Sequence, residues 1–208
     1  MSTSTDYVTS LQLADWLGIS DADDDVQLAL AASAGSRLVD SLCGRRFYED
    51  STSSARYYQP VDSYLVVIDD AVSVSAVAVD DGDDGSYSTT WSATDYQTEP
   101  VNGVGTNGAS GWPKTKIRSI ETRWFPVGHR RPPVKVTAVW GWDNVPDDVT
   151  HATFLAAARM FRLRDTGFGI AAGGSEFGPV PVNDLREIHR LLDPYKRIDA
   201  SGGRYLVA

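Results

Sequence analysis

The sequence of 208 residues contains only one cysteine, Cys43. A single thiol excludes an internal disulfide and a cysteine-rich zinc site, and it fits a reducing compartment. No stretch approaches the roughly 18 consecutive apolar residues that a membrane-spanning helix needs. The opening residues, MSTSTD, lack the basic and apolar regions of a signal peptide. We therefore expect a soluble protein that is not exported by the usual route and has no membrane partner.

Positive charge is also scarce in this chain. Lysine and arginine number 19 against 28 aspartates and glutamates, which gives a formal net charge of −9. This balance argues against a protein that reads nucleic-acid sequence, because neutralising phosphates requires a dense basic surface. The 42% of hydrophobic and 10% of aromatic residues are typical of a globular protein that holds its own core.

The amino-terminal region predicts a helical hairpin. A short amphipathic helix is expected from Thr9 to Gly18. Thr9 or Ser10 can cap its start, and Gly18 can end it. Aspartates 23–25 are suited to the start of a second helix, which Cys43-Gly44 would end. The spacing of three and four residues predicts an apolar face on this second helix made of Gln27, Leu30, Ala34, Leu38 and Leu42.

Between residues 56 and 142 the hydrophobic period changes to two, which indicates strands. Segments 64–68 and 72–79 predict two strands joined by a turn at Asp69-Asp70, and segments 95–98, 116–122 and 134–140 complete an antiparallel sheet. The stretch 101–113 contains four glycines and is expected to be a long loop.

Helical spacing returns after Pro146, a residue suited to the first turn of a helix. The apolar side of this helix is predicted to contain Val149, Thr153, Ala156, Met160 and Phe161. A glycine-rich connector, 167–178, leads to a last helix at about 183–198.

We therefore predict an α+β fold in which the two ends of the chain build a core of about four helices around an inserted antiparallel β region. The expected boundaries are 1–50 for the helical hairpin, 51–145 for the β-rich insertion, 146–198 for the carboxy-terminal helices and 199–208 for a flexible arm.

Three histidines are the first candidates for catalysis. His129 lies in a basic, proline-rich turn, whereas His151 and His189 lie on predicted helices separated by the glycine-rich connector. None of the three has a second histidine or a carboxylate at a spacing typical of a local metal site. We predict no catalytic residue, no cofactor and no metal.

Four further patterns resemble functional motifs, but we favour a purely structural role for each of them. The segment GVGTNG at 103–108 matches the dinucleotide fingerprint, but Glu99-Pro100 precedes it and ASGWP follows it, so no helix can start there to hold a pyrophosphate. The acidic run 80–84 lacks the ligand spacing and the final glutamate of a calcium loop, which favours a solvated turn and leaves weak cation binding open. Ser175 lacks the second glycine of a nucleophile elbow, and Cys43 is expected to be a packed small hydrophobe.

Arginines and tryptophans suggest contacts with other molecules. The basic groups could contact phosphates, but on an acidic chain we favour charge pairing with acidic surfaces of neighbouring copies; they are Arg45, Arg46, Arg130 and Arg131. Trp124, Trp140 and Trp142 could stack on sugars or bases, although tryptophans in strands are more often core or interface anchors.

The order of several short motifs carries a family resemblance. YVT at 7–9, a short helix ending WLGI at 16–19, an aspartate cluster and a long helix closing VDSLCGRRF at 39–47 follow one another. WGW at 140–142, VP before a helix beginning DDV at 147–149, and LLDPY at 191–195 come later. In this order the motifs resemble the head-tail connector (adaptor) proteins of long-tailed bacteriophages, particularly those infecting actinobacteria. The resemblance spans about two thirds of the chain and is weakest between residues 56 and 122.

The resemblance implies a structural virion protein with neither a reaction nor a cofactor. Proteins of this kind assemble into a ring, commonly of twelve copies, under the portal of the filled head. The ring extends the DNA channel and carries the next neck or tail protein. The ring is assembled in the host bacterial cytoplasm and is located at the head-tail interface of the finished virion. An acidic ring would repel phosphates and let double-stranded DNA pass without binding it.

The expected interface lies at the carboxy-terminal end. Apolar residues of the last helix form a stripe that we predict to meet another subunit or the portal: Leu185, Ile188, Leu191, Leu192 and Tyr195. By resemblance, the portal contact also includes Tyr205, Leu206 and Val207. The alternative function is a β-rich binding module of a tail or neck component that recognises a carbohydrate or another protein.

Overall fold

A computed structural model describes residues 5–105, 108–120, 122–163 and 185–197. These residues form two compact units, one built from 5–45, 145–163 and 185–197 and the other from the part of 46–144 that is described. We call them the helical unit and the β unit. Four helices and a six-stranded antiparallel sheet make up the described chain, which confirms the predicted α+β class.

The helical unit contains α1 (Ser10–Leu17), α2 (Asp25–Cys43), α3 (Asp147–Leu163) and α4 (Arg186–Leu192), and a 3-10 turn (Asp193–Tyr195) follows α4. Thr9 and Gln12 form a capping box at the start of α1, since each side chain accepts a hydrogen bond from the backbone N–H of the other. Helices α1 and α2 each end at a glycine in the left-handed backbone conformation, Gly18 and Gly44 respectively. Among the described helices, none is both long and apolar enough to span a membrane.

The buried face of α2 differs from the predicted one. The side chains that α2 buries include Leu28, Ala31, Ala32, Val39 and Cys43, and they point away from the predicted Gln27–Leu30–Ala34–Leu38–Leu42 face. Leu30 is 70% exposed. The reason is close helix packing, because Gly35 lies so near α3 that a Cβ on it would be 2.9 Å from the Cβ of Ala157. Small residues on α2 let the backbones of α2 and α3 approach each other, and the larger Leu30 side chain remains exposed to solvent.

The carboxy-terminal helix is shorter than predicted. Helix α4 covers seven residues and becomes a 3-10 turn before Lys196, while 183, 184 and 198 lie outside the described residues. It contacts α2 and α3. The Tyr195 hydroxyl donates to Asp148 Oδ2 at 3.2 Å, and the Arg197 N–H donates to the Cys43 carbonyl at 2.8 Å.

The β unit contains β1 (Ser54–Tyr58), β2 (Leu65–Val79), β3 (Thr89–Trp91), β4 (Tyr96–Glu99), β5 (Lys114–Ser119) and β6 (Val134–Trp140). The order across the sheet is β1-β6-β2-β5-β4, and β3 pairs with β2. Its core consists of buried aliphatic side chains from the central strands with Trp91, Phe125 and Trp140. Strands β1 and β3 were not predicted.

The predicted turn at Asp69-Asp70 is wrong, because β2 runs through it as one strand of 15 residues. The first part of β2 pairs with β5 and the later part with β6, and register shifts mark the change between Val67 and Ser73. The carboxylates of Asp69 and Asp70 both accept hydrogen bonds from side chains outside β2. Asp69 accepts from Arg56 at 2.9 Å and from the Tyr58 hydroxyl at 3.0 Å, and buried Asp70 accepts from Trp142 Nε1 at 3.0 Å.

Candidate interaction surfaces

The residues that sequence reasoning tested for catalysis do not converge. His151 is exposed and tilted against Trp16, with ring centroids 5.7 Å apart, whereas His129 belongs to the β unit and His189 to α4. Within the described residues, no group of three or more His, Cys, Asp or Glu side chains is placed to hold a metal. Burial raises the pKa of the Cys43 thiol to about 12, against a smaller opposing effect of Arg45, so the thiol is protonated and unreactive at neutral pH.

The described residues of the dinucleotide-like segment, 103–105 and 108, lie in a loop, as predicted. No helix follows it at 108–113, where the structure describes only a bridge between Val104 and Ser110. Gly105 lies under the Trp112 ring, since a Cβ there would be 2.2 Å from the ring. The Trp112 N–H donates to the Gly103 carbonyl at 2.9 Å. Gly105 therefore makes room for the Trp112 indole.

The acidic turn 80–85 is organised by one carboxylate. Asp80 is buried and accepts hydrogen bonds from the backbone N–H groups of Gly82, Asp84 and Gly85 at 3.2, 3.3 and 2.8 Å. Burial would raise the pKa of Asp80, but the donors from Gly85, Asp84 and Gly82 outweigh it and hold the pKa below its ordinary value. The turn is closed by its own backbone.

The predicted interface stripe on α4 is divided by the structure. Ile188, Leu192 and Tyr195 are buried in the helical unit, and Leu192 is fully enclosed. Leu185 and Leu191 are half-buried, so they are the two members of the stripe that α4 presents in part to solvent. Tyr205, Leu206 and Val207 lie outside the described residues.

The four arginines predicted to pair with neighbouring copies have contacts in their own chain. Arg46 donates to the Tyr48 hydroxyl at 2.9 Å and lies 3.7 Å from Asp50, while Arg45 is half-buried near the Cys43 thiol. The side chain of Arg131 reaches the Asp84 carbonyl at 3.5 Å. The Arg130 side chain is exposed, and its backbone N–H donates to Asp83 at 3.4 Å.

An exposed apolar surface on α2 combines Leu30, from the predicted apolar face, with Val26, which that face did not include. Val26 and Leu30 are one helical turn apart and are 78% and 70% exposed. Beside them lies a groove of about 240 Å³ lined by Gln27, Leu30, Ala31, Ala34, Met160 and Phe161. We call Val26, Leu30 and this groove the α2 surface. The sequence contained a signal, because α2 has apolar residues on more than one side and one small helical unit buries only one of them.

A second exposed apolar surface lies on the β unit, where two loops run side by side. The Phe125 N–H donates to the Ser63 carbonyl at 2.7 Å, and Gln59 Nε2 donates to the His129 carbonyl at 3.2 Å. Exposed side chains from both loops make up what we call the loop patch: Val61, Tyr64, Trp124 and Val127. Trp124 is 61% exposed, whereas Trp140 and Trp142 are buried in the β unit. Only Trp124 of the three is therefore available to another molecule.

Comparisons with solved structures find the same fold in phage-like particles. A chain from the neck of an empty GTA particle computed with C6 symmetry is 18% identical with a TM-score of 0.58, and the match covers 97% of this chain and 96% of that chain. A chain from the neck of a native GTA particle computed with C12 symmetry is 17% identical with a TM-score of 0.51 and the same coverage. A chain from the virion of a native gene transfer agent (GTA) particle is 15% identical with a TM-score of 0.56, over 98% and 96%.

No protein-family model matches the sequence, and no curated protein matches it. At identities of 15% to 18%, the structural comparisons establish a shared fold that runs through both the helical unit and the β unit.

Proposed function

We propose that this chain is a structural subunit of the neck of a phage or phage-like particle, of the head-tail connector (adaptor) kind. The observation that carries the proposal is the fold likeness over 97% of the chain to neck proteins of a gene transfer agent particle. Because that likeness includes the β unit, it reaches the part of the chain where the motif resemblance was weakest. The order of motifs in the helical segments supports the same function independently.

The proposed assembly is a closed ring of twelve copies under the portal. The neck structures that contain this fold were computed with C6 and C12 symmetry, which supports a ring. In this role the partners are other copies of the chain, the portal protein and the next neck or tail protein. The chain would be part of the virion at the head-tail interface after assembly in the host bacterial cytoplasm. The actinobacteriophage type belongs to this proposal and rests on the motifs alone.

The proposed contact with the portal is made by the carboxy-terminal end. Leu185 and Leu191 supply the accessible part of α4, and Tyr205, Leu206 and Val207 are the apolar anchors that the resemblance suggests. Ile188, Leu192 and Tyr195 would support that contact from inside the helical unit, since they are buried there. The four arginines would pair with acidic groups of neighbouring copies by exchanging partners, which Arg46 can do because it is exposed.

No catalytic step is part of this function. The fold likeness is to structural proteins of a neck, and the buried thiol of Cys43 is held in its unreactive form. The net charge of −9 suits a ring that surrounds DNA without binding it.

Electron microscopy and native mass spectrometry of the purified chain, alone and mixed with isolated portal rings, test the proposal. The expected result is a ring of twelve copies, free or seated on the portal. A chain that stays monomeric at high concentration and also fails to bind portal rings would contradict it.

A second candidate is a binding module for a carbohydrate or a tail protein, and the exposed Trp124 favours it. An indole on the surface can stack on a sugar ring. Trp112 is less suited, because its ring packs edge-on against Trp142 with centroids 4.9 Å apart. Glycan-array binding that Trp124→Ala abolishes would support this candidate, and an array without signal would exclude the carbohydrate form of it.

A further inference from the structure

The chain presents two different apolar surfaces, and the proposed ring requires two that fit each other. A head-to-tail ring joins one face of each copy to a different face of the next. The loop patch lies on the β unit and the α2 surface on the helical unit, so the chain has one candidate for each face. The inference below rests on the proposed function, because it concerns contacts between copies.

The loop patch has the properties of an interface anchor. Phe125, next to Trp124, is buried and stacks on Trp91 with ring centroids 4.5 Å apart and planes 20° apart. This stacking fixes the loop backbone, while the side chains of Trp124 and Val127 remain exposed to solvent. A tryptophan on a fixed backbone loses little conformational freedom on binding, and tryptophan is enriched among the residues that dominate interface energies.

The α2 surface offers a matching receptor. Its groove is lined by Leu30 and Ala31 on α2 and by Met160 and Phe161 on α3, and Ala31 and Phe161 are buried. A volume of about 240 Å³ is sufficient for the side chain of a large residue such as tryptophan. Val26 extends the apolar surface by one helical turn.

Opposite charges border the two surfaces. Aspartates 21, 23, 24 and 25 precede and start α2 and outnumber Arg159 and Arg162 on the last part of α3, so the α2 surface has an acidic margin. Three exposed arginines, Arg123, Arg130 and Arg131, lie on the two loops of the loop patch against one exposed aspartate, Asp62. The Arg131 side chain is turned to the acidic turn. Arg123 forms an ion pair with Asp95 at 3.5 Å, and 46% of its side chain is exposed. An exposed ion pair of this kind contributes little to stability, so Arg123 can exchange Asp95 for a carboxylate of another copy at little cost. On a chain of net charge −9, this basic margin is where an acidic surface of another copy is attracted.

We infer that the loop patch of one copy docks on the α2 surface of the next copy, with Trp124 in the groove beside Leu30. Arg123 and Arg130 then face the aspartates at the start of α2. Each copy uses both surfaces once, so the contact repeats from one copy to the next and covers both apolar surfaces.

Two variants and their mixture test this contact. Trp124→Asp disables the loop patch, Leu30→Asp disables the α2 surface, and both positions are exposed, so both proteins fold. Each variant alone is expected to associate with itself at least about 30-fold more weakly than the natural chain, as truncation of a central interface residue does. An equimolar mixture retains one intact pair of surfaces and is expected to form a one-to-one heterodimer that grows no further. Sedimentation velocity and native mass spectrometry distinguish these species.

Leu11→Asp is the matched control, because Leu11 is as exposed as Leu30 but belongs to neither surface. It is expected to assemble like the natural chain. If the natural chain assembles only on portal rings, the same three variants and the mixture are measured there. Assembly of either single variant at natural strength, or a mixture that stays monomeric, would overturn the inferred contact and leave the ring itself standing. If the natural chain assembles neither alone nor on portal rings, that result would instead contradict the proposed function.

Discussion

Gly141 lies between two buried tryptophans at the end of β6, where the chain passes very close to another segment of the β unit. A Cβ on residue 141 would be 1.9 Å from the Tyr48 carbonyl oxygen, which no side chain can occupy. The backbone also has φ +110°, a conformation that residues other than glycine rarely adopt. The Gly141 N–H donates to the Asp70 carbonyl at 2.7 Å, so the position is tied to β2 as well.

Gly141→Ala is expected to destabilise the β unit by about 4 kcal/mol or more, because a backbone carbonyl must move to admit the methyl group. Chemical denaturation followed by tryptophan fluorescence measures the loss. The control is Gly128→Ala, where φ is +83° but nothing lies within 4 Å of the added Cβ. That change should cost only about 1–2 kcal/mol, the usual penalty for the left-handed region. Equal losses at both positions would mean that backbone conformation matters and the close approach does not.

Cys43 illustrates how burial controls a single side chain. Burial raises the pKa of its thiol from 9.0 to about 12, and the charge of Arg45 opposes this to a smaller degree. In the unfolded chain the thiol ionises near pH 9. Between pH 9 and 12 the unfolded state therefore holds fewer protons than the folded state, and the free energy of unfolding falls as the pH rises.

We expect the free energy of unfolding to fall by up to about 1.4 kcal/mol per pH unit above pH 9 relative to Cys43→Ala, which lacks the thiol. The measurement is urea denaturation of both proteins at several pH values. Alkylation of the folded chain at pH 8 should also be very slow, whereas a cysteine placed at the exposed neighbouring position by Ser41→Cys should react readily. Parallel pH profiles for the two proteins, with rapid alkylation of Cys43, would refute this account.

At the scale of elements, the spacing between α2 and α3 depends on a glycine inside a helix. Alanine is favoured over glycine in a helix interior by about 1 kcal/mol, yet position 35 has no space for a methyl group. Its Cβ would lie 2.9 Å from both the Cβ and the backbone nitrogen of Ala157. Gly35 therefore sets the distance between the two longest helices of the described chain.

Gly35→Ala is expected to lower stability by up to about 2 kcal/mol, because an overpacking cost of about 1–3 kcal/mol is only partly offset by a gain of about 1 kcal/mol in helix propensity. Thermal unfolding followed by circular dichroism would show it. Ser41→Ala, at an exposed position of the same helix, should leave stability unchanged or raise it slightly. A Gly35→Ala protein more stable than the natural chain would show that α2 and α3 separate easily.

The same contact explains which parts of the fold could be predicted. Helix ends followed from local chemistry, since Thr9, Gly18 and Gly44 act within their own turn. The buried face of α2 did not follow, because the choice between the Leu30 side and the Ala31 side depends on how closely α3 approaches. Sequence spacing ranks leucine above alanine, whereas the packed structure favours the smaller residue.

The strand that contains Asp69 and Asp70 was missed for a related reason. Two consecutive aspartates are typical of turns when nothing else binds their carboxylates. Here Arg56, Tyr58 and Trp142 bind them, and these partners come from distant parts of the chain. The loop patch escaped prediction likewise, because Val61 and Trp124 belong to segments brought together only by hydrogen bonds between two loops.

At the scale of the whole molecule, the charge distribution limits what the proposed ring can do with DNA. The chain carries a net charge of −9, and a ring multiplies that charge around one axis. Binding to DNA would require basic groups that release counterions from many phosphates. The acidic turn 80–85 and the aspartates before α2 add negative surface that is exposed in the single chain.

We therefore expect the purified chain, and any ring that it forms, to leave a duplex DNA fragment unretarded in a mobility assay even at about 50 mM salt, where electrostatic binding is strongest. A basic DNA-binding domain in the same gel serves as the positive control. Retardation of DNA by the natural chain, weakening steeply as salt is raised, would show a basic path over the ring and contradict passage of DNA by repulsion.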